Sequence, residues 1–255
     1  MTAVLEIRDL GKRFVRGDQA TVALRNFNLT IDQGSFVTIL GRSGCGKSTM
    51  LNLLSGLTRP SAGTVSFKGK PHDRPSAQIG YLTQSDTLMP WRDLSRNIEM
   101  PMEIQGLDKA TRRERARALI ERVGLQGFEH SYPRELSGGM RRRASLARML
   151  ASGADTFLMD EPFGALDAQL RSELQADLMQ LWQGSESTIA FVTHDIEEAI
   201  ILADRCVVLG PLGTILLDAE VDIRRPRDLD DVRTDPTFVR LYERLSDALK
   251  KGAQS

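Results

Sequence analysis

Residues 36–49 read FVTILGRSGCGKST. The first five are apolar or β-branched, as in a strand buried on both faces, and the rest follow the spacing G-x-x-x-x-G-K-[ST]. A strand that runs into a glycine turn and then a helix near Lys47 is the setting in which backbone N–H groups turn onto phosphate oxygens. The helix N-terminus adds partial positive charge, Lys47 neutralises the outer phosphates, and Ser48 offers a hydroxyl to Mg2+. Gly41, Arg42, Ser43, Gly44, Cys45, Gly46, Lys47, Ser48 and Thr49 are therefore the candidate phosphate-binding residues. A chance glycine turn is the alternative, and the strand-to-helix context weighs against it.

Around this centre, 255 residues suffice for one large domain or a domain with a subdomain. Lys and Arg total 34 and Asp and Glu total 34, so no net charge draws the chain to nucleic acid or anionic lipid, and no nucleic-acid partner is expected. Two cysteines, Cys45 and Cys206, do not make a disulfide framework and fit a reducing cytoplasm. The start, MTAVLEIRDL, lacks the basic and apolar pattern of an export signal. Apolar runs such as AIILA at 199–203 fall far short of the roughly 20 residues that span a bilayer, so membrane contact is expected to go through another protein.

The opening, VLEIRDLGKRF and ATVALRNFNLTIDQGSFVTILG, predicts short strands broken by turns at 16–19 and 32–34. A helix over about 47–57 follows, then an antiparallel strand TVSFKG, then a strand QIGYLTQ ending at Gln84. From about 85 to 150 the texture is helical, with Ala116, Leu119, Ile120 and Val123 as one apolar stripe, which predicts a helical subdomain. TFLMDEP, IAFVTHD and RCVVLG then read as parallel strands alternating with helices. The charged tail, 221–255, carries Phe238, Leu241, Leu245 and Leu249 at helical spacing and predicts a last amphipathic helix.

The strand from Thr156 to Met159 delivers Asp160 and Glu161 at its C-terminal end, where ligands gather in parallel sheets. Asp160 suits Mg2+ and Glu161 suits orienting or deprotonating a water; the alternative is a helix cap or a pair with surface arginines. Gln84 and His194 also end strands and offer an amide and an imidazole for a terminal phosphate, though each alone is unremarkable. A second glycine-rich helix start, LSGGMRRR at 136–143, places Ser137 as N-cap with Gly138 and Gly139 clearing the entrance. Since one nucleotide is already wrapped by the phosphate loop, a second such end is useful if it covers a nucleotide held by another copy, in a head-to-tail dimer. The alternative is an ordinary capped helix whose glycines permit close packing.

Together these residues resemble the ATP-binding cassette family, the nucleotide-binding subunits of ABC transporters, over nearly the whole chain. GRSGCGKST resembles Walker A, Gln84 the Q-loop, LSGGM the signature, TFLMDEP Walker B, GALD with Asp167 the D-loop, and His194 the switch histidine. The resemblance implies an α/β fold: a P-loop NTPase core, here as a single cassette domain over 1–255, with an antiparallel β subdomain and a helical subdomain. It implies ATP and Mg2+ as cofactors, with Ser48, Gln84 and Asp160 toward the metal. Phe14 would stack on adenine, Glu161 would act as catalytic base with Gln84 and His194, and Ser137, Gly138 and Gly139 would complete the opposite subunit's site. Asp167 would bridge the two sites.

Its implied partners are a second copy, integral membrane permease subunits and, indirectly, a substrate-binding protein, which places the chain at the cytoplasmic face of the inner membrane. LMPWRDLSRNIEMPMEIQG and ADRCVVLGPLGTI resemble importer ATPases for nitrate, sulfonate, taurine and bicarbonate, and the surface at Met89, Pro90 and Trp91 would receive the permease; packing of Trp91 inside the helical subdomain is the alternative. Three positions depart from the family pattern: Met140 for Gln, Arg142 for the Gln of R-Q-R, and Gly164 for Ser. Repair and translation members carry a long coiled-coil insertion or two cassettes, and a simple P-loop kinase or GTPase leaves the signature, Gln84 and His194 without a role.

Overall fold

A computed structural model describes residues 2–17, 19–164, 166–182, 185–225, 227 and 232–252. The elements in chain order are β1 (Ala3–Arg16), β2 (Gln19–Asp32), β3 (Phe36–Gly41), α1 (Lys47–Leu54), β4 (Ala62–Phe67), β5 (Lys70–Pro71), β6 (Ile79–Leu82), α2 (Leu94–Ile104) and α3 (Lys109–Arg122). There follow α4 (Gly138–Leu150), β7 (Thr156–Asp160), α5 (Ala168–Trp182), β8 (Thr188–Thr193), α6 (Ile196–Leu202), β9 (Arg205–Leu209), β10 (Ile215–Glu220) and α7 (Pro236–Lys251). They form two compact units, the first of Met1–Ser76, Leu158–Asp160 and Glu186–Ser255, the second of Ala77–Phe157 and Glu161–Ser185.

In the first unit, β3 lies between β8 and β9, parallel to both, and β10 closes the edge antiparallel to β9. All six residues of β3 are buried, which is why its sequence shows no polar alternation. Phe36 and Phe191 meet there with ring centroids 5.8 Å apart. The unit also holds an antiparallel sheet in the order β2-β1-β4-β5 and helices α1, α6 and α7. Its two leading strands run 14 residues each, longer than the short strands predicted. Register shifts, one of them spanning Asp9 in the left-handed region (φ 49), reset the alternation and disguise one continuous strand as several.

Helix α1 stops at Leu54, three residues before its predicted end, because Gly56 takes a left-handed φ of 75 and turns the chain. Strand β10 is unforeseen in the sequence. Helix α7 buries Phe238, Leu241, Leu245 and Ala248; Leu249, predicted on the same stripe, is only half-buried.

In the second unit, helices α2, α3 and α4 share a core of Leu94, Ile98, Met102, Ala116, Ile120, Val123 and Ala147. The predicted stripe is thus the packed face, with Leu119 at its margin. Strand β6 ends at Leu82, so Gln84 lies in the loop beyond it and not at the strand end. Among the described residues, no helix is long and apolar enough to cross a membrane.

Candidate nucleotide site

Helices α2, α3, α4, α6 and α7 are each capped by a side chain, from Asp93, Asp108, Ser137, Asp195 and Asp235 respectively. Helix α1 is not: its N-cap is Gly46, with no side-chain hydrogen bond and no acid in the first turn. Its leading N–H groups and positive dipole end thus carry no side-chain cap, the setting in which helix starts bind anions. Gly46 has φ 107, and a Cβ on it would lie 2.7 Å from Leu24 Cδ2 and 2.8 Å from the Ala23 carbonyl oxygen. A Cβ on Gly41 would lie 2.6 Å from Cys45 Sγ. Gly41 and Gly46 are thus required by the chain's own packing.

Lys47 is 6% exposed, and its Nζ donates to the Gly41 carbonyl at 2.7 Å and the Arg42 carbonyl at 3.0 Å. The ammonium is therefore bonded to the backbone of its own loop. Ser48, Arg42, Ser43 and Gly44 are exposed, Thr49 is half-buried, and Cys45 is buried. Burial pushes the Cys45 thiol up, against the pull of the Lys47 ammonium, so it stays protonated and packs as a small apolar group.

Exposed His194 lines a cavity of about 470 Å³ with Gly41, Arg42, Ile196, Ser246, Leu249 and Lys250. A second cavity, of about 290 Å³, joins Arg42, Ser43, Gly44 and Cys45 to Leu209, Gly210, Pro211, Leu249 and Gly252. Helix α7 therefore flanks the phosphate loop, a placement the sequence reading did not foresee; the one local hint is Leu249, an apolar residue at the margin of the buried stripe. Asp160 is buried at the end of β7 in this same unit. Phe14 is 47% exposed near the end of β1, with Lys12 Nζ 5.1 Å from its ring centroid.

The second unit holds Gln84, the signature residues, Glu161 and Asp167. Gln84 Nε2 donates to Glu161 Oε2 at 3.3 Å, so the amide and the carboxylate predicted to act together do meet. Both line a cavity of about 390 Å³ with Gly138, Arg141, Arg142 and Gly164. Glu161 has φ 45, a left-handed conformation that a side chain seldom adopts. A Cβ on Gly164 would sit 3.6 Å from Glu161 Oε2, an ordinary contact, so nothing steric demands glycine in place of serine there.

Ser137 Oγ accepts the Met140 N–H at 3.2 Å, the N-cap read from the sequence. The two signature glycines differ. A Cβ on Gly139 would lie 2.5 Å from Leu170 Cδ2 of α5, so this glycine permits close packing. A Cβ on exposed Gly138 would meet only the Arg141 side chain, at 3.8 Å. Asp167 Oδ1 accepts the Leu170 N–H at 3.0 Å and caps α5; its neighbour Ala165, inside GALD, lies outside the described residues.

Sequence reasoning missed Arg142 as a structural hub. It is 6% exposed, and its guanidinium donates to the carbonyls of Pro162, Thr83, Gln84 and Glu161. Trp91 is 71% exposed, against the alternative of burial in the helical subdomain. Its loop is held by buried Asn97, which accepts from the Met89 N–H at 2.7 Å and donates to the Met89 and Arg92 carbonyls.

Residues 24–164 match the family model described as ABC transporter. The chain is 42% identical over 251 residues to an ABC transporter ATP-binding protein of Methanocaldococcus jannaschii, covering 98% of this chain and 92% of the relative. It is 39% identical over 254 residues to the nitrate import ATP-binding protein NrtD of Synechocystis sp., covering 96% and 95%. It is 45% identical over 193 residues to the taurine import ATP-binding protein TauB of Yersinia pestis, covering 76% of each. Among solved structures, a dimeric post-hydrolysis state of the ATP-binding cassette MJ0796 bound to ADP and Pi is similar, with a TM-score of 0.79, 29% identity, and coverage of 86% of this chain and 100% of that one.

Proposed function

The chain belongs to the ABC transporter family, as an ATP-binding and ATP-hydrolysing subunit of the import type, and we propose that two copies close head to tail on two ATP molecules and transmit that closure to membrane permease subunits. The observation that carries this reading is the uncapped start of α1 behind GRSGCGK, with Lys47 bonded to the backbone of its own loop. The phosphate loop holds the phosphates of one ATP, Phe14 stacks on its adenine, and the neighbouring copy's Ser137 and Gly138 cover its terminal phosphate. Asp167, besides capping its own helix, lies on the face toward that second copy.

Glu161 draws the proton from the attacking water, Gln84 orients its carboxylate, and His194 hydrogen-bonds the terminal phosphate. Ser48 and Asp160, both in the first unit, offer the hard oxygens that suit Mg2+. Among the described residues no group of three or more His, Cys, Asp or Glu forms a metal cage, and an ion held largely by nucleotide phosphates needs only one or two protein oxygens. Bound there, the ion would neutralise charge on the phosphates.

Met89, Pro90 and exposed Trp91 supply the permease-docking surface, which holds the chain at the cytoplasmic face of the membrane. The names of the relatives point to small oxyanions and sulfonates of the nitrate and taurine kind as the solute. Glu161→Gln tests the hydrolytic assignment. The variant is expected to bind ATP, to sediment as an ATP-dependent dimer, and to lose turnover by about 100-fold or more, the scale of a missing general base. Wild-type turnover in that variant would remove Glu161 from its role.

A further inference from the structure

We propose that Arg142 is a positioning residue for the hydrolytic site: one buried guanidinium ties the loop carrying Gln84 to the left-handed peptide carrying Glu161. The inference deepens the ATPase reading above and rests on it for the roles of those two residues.

Arg142 stands on α4 where the resembling motif has glutamine. Its Nε donates to the Pro162 carbonyl at 2.5 Å and its Nη2 to the Glu161 carbonyl at 3.3 Å. Its Nη1 donates to the Thr83 carbonyl at 2.6 Å and, more weakly, to the Gln84 carbonyl at 3.4 Å. Only a planar fork with donors on three nitrogens can serve both segments at once; a glutamine amide has two N–H groups on one nitrogen and a shorter reach. The two segments are those whose side chains meet, Gln84 Nε2 to Glu161 Oε2 at 3.3 Å.

The hold matters most at Glu161. With φ 45 its backbone sits in a sparsely populated region, and such a conformation persists only where surrounding bonds over-determine it. Arg142 bonds the carbonyls of Glu161 and Pro162, those of two consecutive peptides, and the Gly164 N–H adds a second bond to the Glu161 carbonyl at 3.3 Å. Two other arginines of α4 hold the same loop just beyond Gln84. Arg141 Nε pairs with Asp86 Oδ2 at 3.2 Å, and Arg148 Nη1 donates to the Thr87 carbonyl at 2.7 Å. Among these arginines, Arg142 is the one that also reaches the Glu161 peptide.

The test compares Arg142→Ala, Arg142→Lys and Arg142→Gln with the wild-type chain. Arg142→Ala is expected to lower kcat about 10- to 100-fold, the cost of misplacing a reacting group by about 1 Å, while ATP affinity stays within about twofold. Arg142→Gln, which keeps two donors, is expected to recover more turnover than Arg142→Ala. Hydrogen exchange read by mass spectrometry should accelerate in peptides covering 83–87 and 161–164 together, and not in those covering 41–49. Should Arg142→Ala fail to fold, the lysine and glutamine variants carry the same comparison.

Wild-type kcat in the alanine variant, unchanged exchange in either segment, or a loss of ATP affinity equal to the loss of turnover would each overturn the proposal. A failure of the underlying reading shows itself separately, as wild-type turnover in Glu161→Gln, with the exchange measurement still judging the clamp.

Discussion

Lys47 illustrates how much of a phosphate site one residue can prepare. Its ammonium is nearly inaccessible, yet its bonds run to two carbonyls of the loop that it must help to bind phosphate. The side chain is thus tied to its own loop by two hydrogen bonds. Lys47→Ala should weaken ATP binding about 10- to 100-fold, as expected for the loss of a charge-assisted hydrogen bond of roughly 1.5–3 kcal/mol. Far-UV circular dichroism should be unchanged. Calorimetry showing wild-type ATP affinity would mean that the loop amides alone hold the phosphates. Glu161 makes the complementary case: its chemistry is common, but its φ of 45 is not, and the neighbouring guanidinium supplies the bonds that conformation needs.

At the scale of the element, α4 separates two explanations that the sequence left side by side. Gly139 faces Leu170 of α5, so Gly139→Ala must push that side chain aside and should cost about 1–3 kcal/mol, the range for overpacking. Gly138 has open space around it, so Gly138→Ala should melt within about 1 kcal/mol of wild type, near the helix-propensity gain of alanine over glycine. If the second copy covers this face, Gly138→Ala should nonetheless reduce ATP-driven dimerisation. The outcome that contradicts this division is a reversal, with Gly138→Ala the less stable variant and Gly139→Ala the weaker dimer. Ser137 belongs to the helix in either case, because its hydroxyl satisfies the Met140 N–H.

For the whole molecule, the described residues fall into two compact units. The first holds the phosphate loop, Asp160 and His194; the second holds Gln84, Glu161 and the signature. On the proposed reading a single copy lacks the groups that cover its own terminal phosphate. ATP turnover per molecule should then fall as the chain is diluted, approximately in proportion to the dimer fraction measured by sedimentation under the same conditions. Turnover independent of concentration, in a chain that sediments as a monomer with ATP, would rule out shared sites. Zero net charge adds no long-range repulsion between copies, so association is expected to depend weakly on salt.

What the sequence determined by itself were features whose cause lies within a few residues. The phosphate loop is legible because left-handed turns at Gly44 and Gly46 and the lysine after them are neighbours on the chain. The parallel strands are legible from unbroken apolar runs, and the cap of α4 from Ser137 three residues before its acceptor's donor. Bonds between distant segments left no such trace. Only the tertiary structure showed that bulges join the leading strands, that Leu170 accounts for Gly139, and that α7 flanks the phosphate loop. Arg142 makes the reason plain: in the sequence it is one of three consecutive arginines, and what sets it apart is four carbonyls brought to it from two far segments. A carbonyl belongs to every residue type, so no composition or spacing announces which of them a guanidinium will find.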